Sequence, residues 1–128
     1  MKLLLDTQAF LWWVEGTPAL GRRARTAVAN PDNEVFFSIA SCWELAIKLS
    51  LGKLRLTQRL DRFIPEQLRV NGFSLLAVEL RHVVDVVDLP FHHRDPFDRL
   101  LAAQALHDDL AIVSADRAFR RYGVTVVW

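Results

Sequence analysis

Four acidic residues, Asp6, Glu44, Asp98 and Asp116, each stand where a strand is expected to give way to a helix. Asp6 directly follows the apolar run Leu3 to Leu5. Glu44 falls in the first turns of the helix expected after Glu34 to Phe37. Asp98 falls in the first turn of a helix opening at Pro96, and Asp116 just after the apolar run Ala111 to Val113. In a parallel sheet, strand C-termini and helix N-termini share one edge, so acids spread over most of the chain can meet there. Carboxylates gathered in this way repel one another, and some protonate unless a cation joins them. Oxygen donors alone select a hard ion such as Mg²⁺ or Mn²⁺. The chemistry such a site supports is phosphodiester hydrolysis with one metal or two.

A plainer role competes at every one of these positions. Asp6 reads as an N-cap, and Ser41-Cys42-Trp43-Glu44 has the form of a capping box. Asp95 reads as an N-cap with Pro96 at the first helical position, and Asp116 suits the positive end of a short helix. Singly, each acid is explained by capping. Together, four acids on one edge point to a shared ion.

The elements that must position them alternate in type. Strands are expected at Leu3 to Leu5, Glu34 to Phe37, Phe73 to Ala77, Ala111 to Val113 and Val124 to Val127. Helices are expected at Thr7 to Val14, Thr17 to Ala29, Ala40 to Leu51, Gln58 to Val70, Leu80 to Val87, Pro96 to Asp108 and Ala115 to Arg121. Pro18 would sit in the first turn of the second helix, and Gly52 would stop the third. Asn30 to Asn33 is a turn. The order predicts an α/β fold, a mostly parallel sheet with helices on both faces.

The chain of 128 residues suits one domain, 1–128, with 52% hydrophobic residues to fill its core. No apolar run is long enough to span a bilayer. MKLLLD lacks the pattern of a signal peptide because Asp6 interrupts it. A cytoplasmic location is expected, and the single cysteine, Cys42, fits a reducing compartment as a buried structural thiol. The net charge of +1 announces no nucleic-acid binder, so any basic contact must be local.

The segments LLLDTQAFLWW, SIASCWELAIKLSLGKL, HHRDPFDRLLAAQA and IVSADRAFRRYGV run in that order along nearly the whole chain. Through them the sequence resembles the PIN-domain ribonucleases, specifically the VapC-type toxins of toxin–antitoxin pairs. DPFDRLLAAQA is the most specific of the matching stretches. The resemblance implies a PIN-like three-layer α/β/α fold and maps the family's four acids onto Asp6, Glu44, Asp98 and Asp116. Ser114 and Thr7 fall beside the last and first acids, as is common in the family. The D-x-x-L-A-A-x-A register assigns Asp98 to the metal and Asp95 to the cap. Also implied are Mg²⁺ or Mn²⁺ dependence and endoribonuclease activity on an RNA of the transfer or ribosomal class. A cognate antitoxin and a homodimer are implied as well.

Other residues invite roles. His92 and His93 stand near Asp95, but neighbouring rings do not readily aim at one ion, so a loop or substrate contact is expected. Arg99 and Arg117 adjoin proposed metal acids and are candidates for RNA phosphates or for pairing with the carboxylates. Arg22, Arg23 and Arg25 form a basic cluster that is either a solvated face or an RNA contact. Trp12 and Trp13 cannot both face one core, so one of them is expected in a surface groove that receives an antitoxin segment. Two other functions compete. One is a catalytically inactive PIN-like interaction module. The other is a phosphoryl-accepting receiver, which would want a late lysine, and none follows Lys53.

Overall fold

A computed structural model describes all residues, Met1 to Trp128. Its elements run β1 (Lys2–Leu5), α1 (Thr7–Glu15), α2 (Arg22–Ala29), β2 (Glu34–Ser38), α3 (Ile39–Ser50) and α4 (Leu60–Asn71). They continue with β3 (Ser74–Leu76), α5 (Leu80–Val86), α6 (Pro96–Asp108), β4 (Ala111–Val113), a 3-10 helix (Arg117–Tyr122) and β5 (Val126–Val127). The five strands form one sheet in the order β3-β2-β1-β4-β5, and every pairing is parallel. β1 lies at the centre, with Leu5 beside Phe37 of β2 and Val113 of β4.

Side chains alternate across a strand, so a central strand must be apolar on both faces. Leu3 and Leu5 enter the larger core with Val35, Phe37, Ala111 and Val113. That core is closed by Phe10 of α1, Val28 of α2, Leu45 of α3 and Phe63 of α4, with Phe10 stacked on Phe37 at 3.9 Å. Leu4 and Ile112 point the other way, into a smaller core with Leu101 and Ala105 of α6 and Phe119 and Tyr122 of the 3-10 helix. α5 packs outside α6. The three layers follow from this two-sided burial.

Local signals explain most boundaries. Asp95 caps α6 by accepting from the Phe97 and Asp98 N–H groups at 2.8 and 3.4 Å, and Pro96 occupies the first position. The expected helix from Thr17 begins only at Arg22. Gly21 stands at its N-cap, where an added Cβ would lie 3.1 Å from the Trp128 ring, so a side chain there would disturb that packing. The last strand pairs over two residues instead of four, Val126 and Val127 against Ile112 and Val113 of β4.

The two adjacent tryptophans pack against one core. Trp12 and Trp13 are both partly buried against the larger core, Trp12 beside Trp128 and Trp13 beside Phe73. Trp13 also donates to Asn71 Oδ1 at 3.0 Å. Both rings keep part of their surface exposed. The exposed tryptophan is Trp43, at 63%.

Candidate active site

Three sheet-edge features bring the acids together. Asp6 leaves β1 at its C-terminal end, and its backbone N–H donates to the Val113 carbonyl of β4 at 3.1 Å. Ser114 leaves β4 fully buried, and its hydroxyl accepts from the Asp116 N–H at 2.9 Å. Gln104 of α6 accepts from Ser38 Oγ at 2.6 Å and donates to the Ala77 carbonyl at 3.1 Å. That buried amide ties α6 to the ends of β2 and β3, and so sets α6 against α3.

Asp6 and Asp116 do cap helices. Asp6 accepts from the Ala9 N–H at 2.7 Å and Asp116 from the Ala118 N–H at 2.9 Å. Each cap uses one carboxylate oxygen, so capping and metal binding are compatible. Glu44 caps nothing. α3 begins at Ile39 with Ser38 as its cap, three residues before the expected capping box. The Glu44 carboxylate instead accepts from Thr7 Oγ1 at 2.7 Å and pairs with Lys48 at 3.1 Å. Both oxygens of Glu44 are therefore engaged, which makes it the acid least in need of a cation. The Asp98 carboxylate has no hydrogen-bond or ion-pair partner.

The electrostatics follow from that difference. Burial, then the charge of Asp95, push the Asp98 carboxyl up to about 7 against the pull of His93, with Asp6 and Glu44 adding to the rise. Burial also raises Asp6, opposed by hydrogen bonds from Ser114 and Ala9 and reinforced by Glu44 and Asp116. Burial would raise Asp116 too, but the Ala118 N–H and His93 hold it below its ordinary value. An edge with a carboxyl displaced this far lacks positive charge, and a divalent cation would supply it. The donor set fits that group.

One member lies beyond the expected set. His93 is buried, and its Nε2 lies 2.8 Å from Asp116 Oδ2. Donor atoms of His93, Asp98 and Asp116 all lie within 4.8 Å of one another. Asp6 and Glu44 stand outside this tight group, although their charges reach it. Only one of the two adjacent histidines aims at the acids. His92 instead sets its ring edge-on to Tyr122 at 4.9 Å. The nearness of His93 to Asp95 is the only sign of it in the sequence.

The arginines divide. Arg99 is buried and donates to the carbonyls of Pro90, Val86 and Leu89 at 2.9, 3.0 and 3.2 Å. Its donors go to these carbonyls and it forms no ion pair with Asp98, so the expected pairing with that carboxylate is not made. Arg25 donates to the Thr17 carbonyl at 2.6 Å, whereas Arg22, Arg23 and Arg117 are exposed. Cys42 is half-buried, less than expected, and burial pushes its thiol up to about 11, which disfavours the reactive thiolate.

Beside the acids, Trp43 meets the Phe97 ring edge-on at 5.3 Å. Each adjoins a site acid in sequence, Glu44 and Asp98. Two surface concavities, of about 480 and 490 Å³, lie elsewhere. One is at the opposite sheet edge near Lys2 and Thr125, and the other runs along α4. The acids sit on an edge outside both.

A family model described as the PIN domain matches residues 3–124. Ribonuclease VapC16 of Mycobacterium tuberculosis is 36% identical over 58 residues, 45% of this chain and 41% of that protein. The match therefore spans less than half of that relative. The crystal structure of VapBC2 from Rickettsia felis bound to a promoter DNA fragment superposes with a TM-score of 0.73 and 14% identity, covering 98% of this chain and 97% of that one. FitAcB from Neisseria gonorrhoeae gives 0.66 and 18%, covering 97% and 95%. With nearly its whole length inside the family model and its fold shared with these structures, the chain belongs to the PIN-domain family.

Proposed function

We propose that this chain, acting as one domain over residues 1–128, is a metal-dependent endoribonuclease and the toxin of a type II toxin–antitoxin pair. The observation that carries the reading is Asp98, an unpartnered acid with a carboxyl displaced to about 7 beside Asp6, Asp116 and His93. Asp6, Asp98 and Asp116 would hold Mg²⁺ or Mn²⁺, with Glu44 completing the acidic set. A bound cation there would polarise a phosphate oxygen and lower the pKa of a water for attack on phosphorus. The chain's own residues orient that set. Thr7 and Lys48 fix Glu44, the caps fix Asp6 and Asp116, and Ser114 holds the turn between β4 and Asp116.

The substrate is RNA of the transfer or ribosomal class. Exposed Arg117, next in sequence to Asp116, would meet a phosphate of that substrate. The Trp43–Phe97 shelf is placed to stack an unpaired base next to the scissile bond. Trp43→Ala is expected to raise KM for RNA roughly 5- to 100-fold with kcat changed far less. Steady-state cleavage of a fluorogenic oligonucleotide would read that split, and an unchanged KM would remove the shelf from the substrate path.

The VapBC complexes among the structural neighbours support an antitoxin partner, and a cytoplasmic location goes with such a pair. No helix is long and apolar enough to cross a membrane. A homodimer would cover the exposed apolar stripe Leu80, Val83 and Val84 of α5 and its C-cap Val87. The test of the activity is direct. Purified chain, free of antitoxin, is expected to cut an RNA pool with Mg²⁺ or Mn²⁺ and to stop when EDTA is added. An intact pool under every metal condition would favour a non-catalytic interaction module on the same fold.

A further inference from the structure

We propose that His93 is a nitrogen donor to the bound cation and, with Asp98 and Asp116, gives this centre a preference for Mn²⁺ over Mg²⁺. The inference rests on the reading that the acid cluster holds a divalent cation. It concerns which ion, and which residue decides.

Distances fit a shared ion. Around an octahedral centre with donors at about 2.1 Å, neighbouring donors lie about 3 Å apart and opposite ones about 4.2 Å. His93 Nε2 and Asp116 Oδ2 are 2.8 Å apart, close to a neighbouring pair. With Asp98 included, the three donor atoms lie within 4.8 Å of one another, a bound about 0.6 Å wider than opposite donors need, so the group would close slightly on an ion.

The imidazole is also held in place. The His93 backbone N–H donates to Tyr122 Oη at 2.9 Å, and the ring stacks on Tyr122 at 5.5 Å with 9° between planes. Phe119 closes a further side at 4.7 Å. The segment that delivers it is pinned by the three bonds from Arg99 to the carbonyls of Val86, Leu89 and Pro90. Within this slot His93 Nδ1 is buried without a partner. A metal-bound imidazole ordinarily donates its second ring N–H, and here no acceptor meets Nδ1, so the ring is held by stacking and by its backbone bond alone.

The chemistry of the donor then sets the ion. Mg²⁺ keeps oxygen ligands and sheds water reluctantly, whereas Mn²⁺, though also suited to carboxylates, belongs to the transition series whose ions gain from a nitrogen donor. Among the two ions that an acidic site admits, the nitrogen favours Mn²⁺.

A lesser role for the same residue would be to hold Asp116 through a hydrogen bond, and that would serve both ions equally. His93→Gln separates the two, since the amide can still donate to Asp116 but is a poor nitrogen ligand. Calorimetric titration of metal-free protein is expected to show Mn²⁺ binding at least about tenfold tighter than Mg²⁺. In His93→Gln, Mn²⁺ affinity should fall about tenfold while Mg²⁺ affinity holds within about twofold. Pulsed paramagnetic resonance of the Mn²⁺-loaded wild type should show a nitrogen coupling that persists in His92→Gln and disappears in His93→Gln. The wild-type spectrum decides even if the variant folds poorly. Mn²⁺ bound without a nitrogen coupling, or an equal loss for both ions, would overturn the role of His93 and leave the acidic site standing. Failure of the wild type to bind either ion would overturn the acidic site itself, and this inference with it.

Discussion

Asp98→Asn is expected to lower metal-dependent RNA cleavage about a thousandfold or more. Asp98 is the one site acid with no partner in the chain, so its charge is the most available to a cation. The substitution keeps the shape and removes the charge. The same variant should change stability in a direction opposite to the usual loss on mutation. In the folded chain the Asp98 carboxyl sits at about 7, above its ordinary 3.8. The folded state therefore binds the extra proton, and stability falls as pH rises. In metal-free protein that contribution is complete below about pH 4 and is lost progressively as pH passes 7. The full displacement corresponds to about 4 kcal/mol, but solvent reaches this side chain, which leaves about 1–2 kcal/mol. In EDTA at pH 8, Asp98→Asn should thus melt a few degrees above wild type, and the gap should close at pH 4. Added Mn²⁺ should raise the wild-type melting temperature and leave the variant nearly unchanged. An inactive variant with wild-type melting at every pH would mean that Asp98 is not held in a charge-starved site.

Arg99→Ala should destabilise the chain by about 2–4 kcal/mol. Its guanidinium is buried and serves three carbonyls at the end of α5 and in the segment after it. It also lies over the Phe91 ring at 4.1 Å, and truncation removes that cation–π interaction too. The Leu89 carbonyl then loses its donor, while those of Val86 and Pro90 keep only the Leu89 and His92 N–H groups. Lysine should not restore the stability, because a single ammonium cannot reproduce the planar fork. Urea unfolding would measure both variants. A change below about 0.5 kcal/mol in Arg99→Ala would show that water replaces the guanidinium without cost. Because the segment carries His93, Arg99→Ala should also weaken Mn²⁺ binding without touching any metal donor.

What can be read from the sequence follows from how local each signal is. α6 is legible to its ends, since Asp95, Pro96 and the apolar spacing of Leu101, Ala102 and Ala105 all act within a few residues. β4 is legible because Ala111 to Val113 is buried on both faces and has no polar residue to confuse the period. The start of α2 is not, because Pro18 resembles a first-turn proline while Gly21 and the Trp128 ring set the true boundary. The short final helix is expected as a helix but takes 3-10 geometry, opening on the Asp116 cap.

The site divides along the same line. Its acids can be placed by topology alone, because strand ends converge whatever the side chains do. The partners of those acids cannot. Glu44 meets Thr7 across 37 residues, and His93 meets Asp116 across 23. Such pairings leave no period in the sequence. Arg99 looks like a site residue by adjacency to Asp98, yet its guanidinium bonds carbonyls at the end of α5 instead. Trp43 groups with Trp12 and Trp13 by type, and only packing separates them.

The central claim is that one ion is shared by acids distant in sequence. It is tested most directly by titrating Mn²⁺ into metal-free wild type and into the Asp6→Asn/Asp98→Asn double variant, with folding of both checked by circular dichroism. The account predicts saturable binding in the wild type and a loss of about a hundredfold or more in the folded double variant. Equal affinity in the two proteins would contradict it.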